Sequence, residues 1–315
     1  MQPAAADIVA VCCSDLHLSE KPPLVRSAEP DWFAAMGRQV KQLKDLANQY
    51  KAEIICAGDI FDKPSPSPNL INWAIQNLPV MYAIPGQHDL LHHSYQDLHK
   101  TAYQTLIEAH TIWDIRPDKP IETGRMRLHG FPWGFPPKPW KSPHGLALEV
   151  AVIHRYVFDH STGYPDAPKE QRLGALWNDI EGYDSIIVGD NHKGFVFTRM
   201  SKIVERWESL MNCGAFFRRK ADERDYKPSV GLLHEDGRIE RHYLDCSEDK
   251  FADLSEIETT NYLGMGDMSG FIEEVGKLQG AVVDFRDAVE QEMDRRKVRK
   301  AVKAIVLKAL EKDGK

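Results

Sequence analysis

The sequence lacks the features that define several large protein classes. Its five cysteines form no CxxC pair, and an odd, scattered set of this kind is not a disulfide framework. No apolar run approaches the roughly 20 residues that are needed to cross a bilayer. The first apolar run, Ile8–Cys13, is too short for a secretion signal, and no basic segment precedes it. We therefore predict a cytoplasmic protein with no membrane partner.

The sequence also lacks an excess of positive charge. Its formal net charge is −7, whereas general nucleic-acid binders are usually basic. A polyanionic substrate would therefore have to be bound by local basic patches and metal ions. Hydrophobic residues make up 42% and charged residues 28% of the 315 residues. These values are typical of a globular protein with room for one large and one small domain.

Predicted strands and helices alternate over the first part of the chain. Apolar runs predict strands at residues 8–14, 53–57 and 80–84, with helical spacing between them. This alternation favours parallel strands with helices packed outside. Beyond about residue 115, few helical patterns separate the strands, and we expect a mixed sheet or a two-sheet sandwich. The later predicted strands are residues 126–129, 147–154, 185–188, 230–234 and 239–244.

The last part of the chain has a different pattern. From about residue 250, apolar residues such as Val298, Val302 and Ile305 recur at helical spacing. We predict a main domain over residues 1–246 and a small helical region over residues 250–315. The helical region is a candidate cap, partner-binding element or dimer element. Its basic stretch, residues 295–312, is either a solvated helix face or a surface that contacts phosphate.

Five short clusters of metal-ligand residue types each follow a predicted strand. The carboxyl ends of strands are where α/β proteins place their sites. Oxygen and imidazole ligands suit Mn²⁺, Fe²⁺ or Zn²⁺ and do not suit a thiolate-bound metal. Pairs of such cations, about 3.5–4 Å apart, are used for phosphate-ester hydrolysis. Each cluster alone is also typical of an ordinary loop or strand end. The candidate ligands are Asp15, His17, Asp59, Gln87, His154, Asp190 and His192.

Two of these clusters have an internal spacing of two residues. Asp15 and His17 are two apart, and so are Asp190 and His192. In extended chain, side chains two apart point the same way, so both members of a pair would reach one ion.

The order of these motifs resembles that of the calcineurin-like metallophosphoesterases. Two segments, residues 14–18 and 57–62, look most like the DNA-repair nuclease branch of that family, which includes SbcD and related phage recombination endonucleases. The resemblance implies a four-layer α/β sandwich, in which two mixed sheets are flanked by helices. It covers residues 7–245 well and the C-terminal region only loosely.

The resemblance also implies roles for the candidate residues. Asp15, His17 and His192 would hold the first metal, Asp59 would bridge, and Gln87, His154 and Asp190 would hold the second. His88 would act as the general acid, with Asp62 holding its ring. Two divalent ions are implied, with Mn²⁺ favoured and Mg²⁺, Fe²⁺ or Zn²⁺ as alternatives.

The second metal position departs from the family pattern. Gln87 replaces the family's asparagine, and Asp190 replaces its histidine. The glutamine keeps the same donor oxygen, while the aspartate adds a negative charge. We therefore expect a more anionic second site that favours a harder ion such as Mn²⁺ or Mg²⁺.

The predicted function is a dinuclear-metal phosphodiesterase that hydrolyses DNA in repair, recombination or phage DNA processing, as an exonuclease or endonuclease. The alternatives are a small-molecule phosphodiesterase, a protein phosphatase, or a catalytically degenerate module that binds nucleic acid or a partner. Expected partners are DNA, an SbcC-like coiled-coil ATPase and a second copy of the chain.

Basic and aromatic side chains are the candidate contacts to a nucleic acid. Basic groups would bind the phosphates, although interleaved acidic residues equally allow paired surface charge. Aromatic rings of a proline-rich loop would either stack on bases or pack within the loop. The basic candidates are Arg155, Arg218, Arg219 and Lys220, and the aromatic ones are Trp133, Phe135 and Trp140.

Overall fold

Twelve strands and four α-helices make up the described part of the chain, which comprises residues 7–140, 147–159, 161–163, 167–200 and 207–253 of a computed structural model. The strands are β1 Ile8–Cys13, β2 Glu53–Cys56, β3 Met81–Ala83, β4 Ile112–Asp114, β5 Ile121–Thr123, β6 Met126–Phe131, β7 Leu148–His154, β8 Ser185–Gly189, β9 Phe195–Met200, β10 Trp207–Asn212, β11 Ser229–His234 and β12 Ile239–Tyr243. The helices are α1 Trp32–Tyr50, α2 Pro68–Asn77, α3 Ala102–Glu108 and α4 Leu173–Asp179.

The strands form two mixed six-stranded sheets. The first sheet has the order β12-β11-β1-β2-β3-β4, and the second has the order β5-β6-β7-β8-β10-β9. The neighbours from β1 to β4 are parallel, as the alternation of strands and helices predicts. In the second sheet, β6, β7, β8 and β10 are parallel, with antiparallel strands at both edges. The carboxyl ends of the central strands therefore meet at one edge of each sheet.

Alternation along β1 shows how the layers are built. Ala10 and Cys12 pack between the two sheets, whereas Val11 and Cys13 face the helices outside the first sheet. Side chains of α1, α2 and α3 complete that outer layer, and Leu176 of α4 packs on the outer face of the second sheet. The predicted four-layer sandwich of two mixed sheets flanked by helices is confirmed.

Helix α1 illustrates why the outer helices form where they do. The Asp31 side chain accepts a hydrogen bond from Ala34 N at 3.0 Å and caps the first turn. Met36, Val40 and Leu43 recur at helical spacing and are buried against the first sheet.

A buried ion cluster attaches residues 245–252 to the rest of this unit. The Arg26 side chain is 1% exposed and pairs with Glu29 at 2.5 Å and Asp249 at 2.7 Å. Its Nη1 also donates to the carbonyl oxygen of Arg218 at 3.0 Å, in the loop that follows β10. The cluster therefore joins the end of the main unit to a loop close to the candidate site.

The predicted C-terminal helical region lies almost wholly outside the described residues. The chain divides into two units, Met1–Ala252 and Asp253–Lys315, and the described residues end at Asp253. The boundary near residue 250 and the helical character of the tail therefore stay predictions. In the part that is described, no helix combines the length and the apolar character that a membrane span requires.

Candidate metal centre

The candidate ligands follow strands of both sheets. From the first sheet, Asp15 and His17 follow β1, Asp59 follows β2, and Gln87 follows β3. From the second sheet, His154 ends β7, and Asp190 and His192 follow β8. The site therefore forms where the carboxyl ends of strands from the two sheets come together, the position that the sequence predicts.

Several of these residues have left-handed backbone conformations. The φ angles are 53° at Asp15, 44° at His17, 54° at Asp59 and 86° at Asp190. Residues other than glycine rarely adopt such angles, and they concentrate at functional sites. The expectation that Asp15 and His17 lie in extended chain is therefore wrong. A tight turn after the strand, and not the two-residue strand repeat, brings both side chains to the centre.

Glycines allow the backbones around the centre to approach each other closely. A Cβ atom on Gly86 would lie 2.1 Å from Asp59 Oδ1, and one on Gly189 would lie 2.4 Å from the carbonyl oxygen of Ala57. The first contact lies within the site, and the second joins the two sheets. No larger residue fits at either position without moving its neighbours.

Asp15, His17 and His192 form the first group of converging ligand atoms, which lie within 4.8 Å of one another. His17 Nε2 is 3.2 Å from His192 Nε2 and 3.6 Å from Asp59 Oδ2. Burial lowers the pKa of His17 well below its usual value, so its imidazole is neutral and able to bind a cation. Burial also raises the pKa of Asp15, to about 6.

Asp15, Asp59 and His154 form the second group. His154 Nε2 lies 3.4 Å from Asp59 Oδ2, while its Nδ1 lies 2.5 Å from the carbonyl oxygen of Ala57. Because a carbonyl only accepts, Nδ1 carries the hydrogen and Nε2 faces the centre. Burial opposes the charge on both groups, but their mutual attraction outweighs it, raising the pKa of His154 and lowering that of Asp59.

Among the described residues, three buried atoms of the predicted second-metal ligands make no hydrogen bond: Gln87 Oε1, and Asp59 Oδ2 and His154 Nε2, which face each other at 3.4 Å. Buried polar atoms are almost always paired, so these three atoms need an explanation. Carboxylate, imidazole and amide donors are suitable ligands for a divalent cation of intermediate hardness. The residues present therefore fit a metal ion.

Gln87 and Asp190 contact each other directly. Gln87 Nε2 donates to Asp190 Oδ1 at 2.8 Å. Among the described residues, the Asp190 carboxylate belongs to none of the three ligand groups that the structure contains. Its predicted role as a ligand of the second metal stays a prediction.

His88 lies at the rim of the centre, in a third group with His17 and Asp62. Its ring centroid is 4.7 Å from that of His17. Its Nδ1 lies 2.9 Å from the backbone oxygen of Asp62, whereas the Asp62 carboxylate pairs with Arg219 at 2.8 Å. Asp62 therefore lies beside His88, but its backbone oxygen and not its side chain contacts the ring, and the catalytic roles of the two residues stay predictions.

Asp89 was not assigned a role from the sequence, although it ends the motif that contains Gln87. It is fully buried and accepts hydrogen bonds from the backbone N–H groups of Ile60, Phe61 and Gly86, at 3.2, 3.0 and 3.0 Å. Burial and the nearby Asp59 raise its pKa to about 7. Asp89 thus ties together the two turns that carry Asp59 and Gln87.

Glu223 is a second residue that sequence reasoning missed. It accepts hydrogen bonds from the backbone N–H groups of Arg219 and Lys220 at 2.6 and 2.9 Å, and it lies 3.7 Å from His192 Nδ1. A carboxylate on the outer nitrogen of a metal-binding histidine fixes the ring and makes it a better ligand. Burial opposes its charge, but the contact with His192 lowers the pKa of Glu223.

The four predicted basic contacts lie at different distances from the centre. Arg219 pairs with Asp62, and Lys220 Nζ lies 3.3 Å from His192 Nδ1. Arg218 instead pairs with Asp249 at 2.9 Å, and Arg155 with Asp179 at 3.7 Å. Only Arg219 and Lys220 therefore contact residues of the candidate centre.

Residues 8–209 match the family described as calcineurin-like phosphoesterase, which is more than half of the chain. The chain belongs to this family. Membership of the calcineurin-like phosphoesterases implies metal-dependent hydrolysis of a phosphate ester, with two divalent metals as the usual cofactors. The match does not distinguish the nuclease branch from the other branches of the family.

Two solved structures match most of this calcineurin-like phosphoesterase at low sequence identity and low TM-score. One is described as a novel archaeal phosphodiesterase, with 15% identity, a TM-score of 0.36, and coverage of 75% of this chain and 99% of the other. Another is a metallophosphoesterase from Sphaerobacter thermophilus, with 14% identity, a TM-score of 0.37, and coverage of 76% and 88%. No sequence among the curated proteins matches this chain significantly.

Proposed function

We propose that this chain hydrolyses DNA phosphodiester bonds at a two-metal centre. The observation that carries the proposal is the convergence of buried, unpartnered ligand atoms at one end of the two sheets. Asp59 Oδ2 lies 3.6 Å from His17 Nε2 and 3.4 Å from His154 Nε2, so its carboxylate faces both ligand groups at once. A carboxylate in that position is suited to bridge two cations.

When bound, the two cations activate a water molecule and neutralise the charge that develops on the phosphoryl group. Asp15, His17 and His192 would hold the first cation, and His154 and Gln87 the second. Mn²⁺ is the cation that we favour, because the donor set mixes carboxylate, imidazole and amide groups.

His88 is the proposed general acid for the leaving oxygen. Its Nδ1 must carry a hydrogen, because the Asp62 backbone oxygen 2.9 Å away only accepts. The proton available for transfer is therefore on Nε2 of the imidazolium. Transfer of that proton to the leaving oxygen would leave a neutral His88, which then takes up a proton from solvent.

A DNA substrate is supported by the groups around the centre. Arg219 contacts Asp62 and Lys220 contacts His192, and these two basic groups would bind phosphates next to the cleaved bond. The Trp133 ring centroid is 6.5 Å from that of His154, and Phe135 is partly exposed while it packs on Tyr95, so these two rings are the candidates for stacking on bases. The motif likeness to the nuclease branch points the same way.

A smaller phosphodiester is the second candidate substrate. A cavity of about 500 Å³ opens beside Asp190 and His192, and Lys193, Lys220 and Tyr156 line it. That volume lies within the usual range for sites that take small molecules. The negative charge of the whole chain, −7, also suits a compact substrate better than a long polyanion.

The test is Mn²⁺-dependent cleavage of end-labelled single- and double-stranded DNA beside bis-p-nitrophenyl phosphate. Asp59→Ala removes the bridging ligand and His88→Ala removes the acid, and we expect both to abolish cleavage of DNA. Loss of a general acid typically lowers the rate by about 10²–10⁴-fold.

The two substrates separate the candidate functions. Cleavage of the small ester but not of DNA would favour the small-molecule phosphodiesterase. No cleavage of either substrate by metal-loaded protein would favour a binding module. An SbcC-like ATPase is one proposed partner, so the assay is repeated with the ATPase present. A second copy of the chain is the other, so the molar mass of the protein in solution is measured.

A further inference from the structure

The contact between Gln87 and Asp190 fixes which end of an amide faces the metal centre. A glutamine amide has an NH₂ end that donates and an oxygen that accepts, and only its partners decide which end points where. A carboxylate accepts only, so Asp190 Oδ1, at 2.8 Å, selects the NH₂ end. The amide oxygen of Gln87 is thereby left facing away from Asp190, and it is buried without a hydrogen-bond partner in the part of the chain that the structure describes.

Asp190 is itself held in place by its backbone. Its backbone N–H donates to both oxygens of Asp15, at 3.1 and 3.2 Å, and its φ of 86° is left-handed. Its side-chain carboxylate lies in none of the ligand groups of the described residues, although Asp15, Asp59 and His154 do form one. The backbone of Asp190 is thus bound by the carboxylate of Asp15, which is another predicted metal ligand.

We infer that Asp190 is a positioning residue for Gln87 and not itself a metal ligand. Its carboxylate holds the Gln87 amide so that Oε1 joins Asp59 Oδ2 and His154 Nε2 around the second cation. This inference rests on the proposed two-metal function. The amide oxygen would then complete the second ligand group, in which Asp15 and Asp59 supply carboxylates and His154 supplies an imidazole.

Equilibrium dialysis against Mn²⁺ alone separates a positioning role from direct ligation. Asp190→Asn keeps an acceptor oxygen for Gln87 but removes the charge. Asp190→Gly removes the side chain, and glycine tolerates the left-handed φ of this position. For a positioning residue, Asp190→Asn should leave the Kd of the second Mn²⁺ within about threefold, and Asp190→Gly should raise it by about 10–100-fold.

A double-mutant cycle gives an independent readout. If Asp190 acts through Gln87, Asp190→Gly added to Gln87→Ala should weaken the second site no further than Gln87→Ala alone. The spin-coupled electron paramagnetic resonance signal of a Mn²⁺ pair should follow the same pattern. Asp45→Asn removes an equal charge from an exposed ion pair on α1 and should change neither readout.

Three outcomes would overturn the inference. Losses from Asp190→Asn that equal those from Asp190→Gly, or effects that multiply in the double variant, would make Asp190 a ligand. If the native chain bound a single Mn²⁺, the two-metal proposal would fail first and this inference with it. The native stoichiometry therefore distinguishes the two failures.

Discussion

Glu223 lies behind His192, 3.7 Å from the ring nitrogen that faces away from the centre, and it also binds two backbone N–H groups. Glu223→Gln should weaken the first Mn²⁺ site by about 10-fold or more, because a neutral amide orients and polarises the imidazole less well. Equilibrium dialysis measures this change. Asp222→Asn, at the exposed neighbouring position, is the matched control and should leave the affinity unchanged. An unaltered Kd in Glu223→Gln would remove Glu223 from the centre.

Gly86 sits where no side chain fits, since a Cβ there would meet Asp59 Oδ1 at 2.1 Å. Gly86→Ala should displace Asp59, abolish binding of the metal pair, and lower the free energy of unfolding by about 1–3 kcal/mol. Gly174, in α4, is the control, because a Cβ there meets none of the described residues within 4 Å. Gly174→Ala should leave Mn²⁺ binding intact and stabilise the protein by about 0.4–1 kcal/mol. Equal effects of the two substitutions would contradict this prediction.

The types of the ligand residues could be predicted from the sequence, but the way they are held could not. Histidine and aspartate after apolar runs are visible as a pattern, and Asp59 and His154 do converge. The left-handed turns at Asp15 and His17 depend on contacts with neighbouring loops that no local pattern encodes. Glu223 lies in a run of interleaved acidic and basic residues, and nothing in that pattern indicates that its side chain is buried beside His192.

The loop between β10 and β11 is the element whose placement depends on buried charge. The Arg26 side chain is 1% exposed, and it directly contacts the backbone of Arg218 in this loop. It also pairs with the carboxylates of Glu29 and Asp249. Arg26→Ala would remove one buried cation from Glu29 and Asp249, which would keep only Arg38 and Arg218 as cationic partners among the described residues, and we expect a loss of up to about 3–5 kcal/mol in the free energy of unfolding. Urea denaturation measures this loss.

Arg38 provides the comparison for Arg26. It contacts the same Glu29 at 3.3 Å, but its side chain is 31% exposed. Arg38→Ala should therefore cost about 1 kcal/mol or less, as is typical of solvent-exposed ion pairs. If both variants lost the same free energy of unfolding, burial would not explain how much the Arg26 cluster stabilises the fold.

The strands that the sequence predicts well are those buried on both faces. Strand β7 is buried along its whole length, and such continuous apolar runs are recognisable without other information. Of the elements that were not predicted, β4, β5, β9, α3 and α4 are short or lie at edges, whereas β10 is a six-residue strand between β8 and β9. Strand β9 buries Phe195 and exposes most of the residues after it, so its sequence lacks the apolar pattern of a strand. Its extended conformation is stabilised by pairing with β10.

For the whole molecule, metal loading should stabilise the fold in a manner that depends on pH. In the metal-free protein, the Asp59 charge raises the pKa of His154 well above its usual value. That attraction stabilises the fold below about pH 6.5 and is lost as the pH rises through the folded-state pKa. A cation must displace this proton, so Mn²⁺ affinity rises with pH.

The expected result is a larger Mn²⁺-induced rise in Tm at pH 8 than at pH 6. At a concentration of about 100 times the Kd, one bound ion stabilises by about 2.7 kcal/mol. Thermal unfolding at both pH values, with and without EDTA, measures the difference. Asp59→Ala should show little Mn²⁺ effect at either pH, and a pH-independent shift in the native protein would argue against displacement of a proton.

The close approach of Gly189 to Ala57 gives the two sheets a fixed separation at the ligand end. Strands β2 and β8 belong to different sheets, so any sliding of one layer over the other changes the distance between Asp59 and His192. The distance between the two metal ions therefore reports how the two sheets are aligned. A substitution far away in the intersheet core, at Val152 or Met211, should change the magnetic coupling between the two ions.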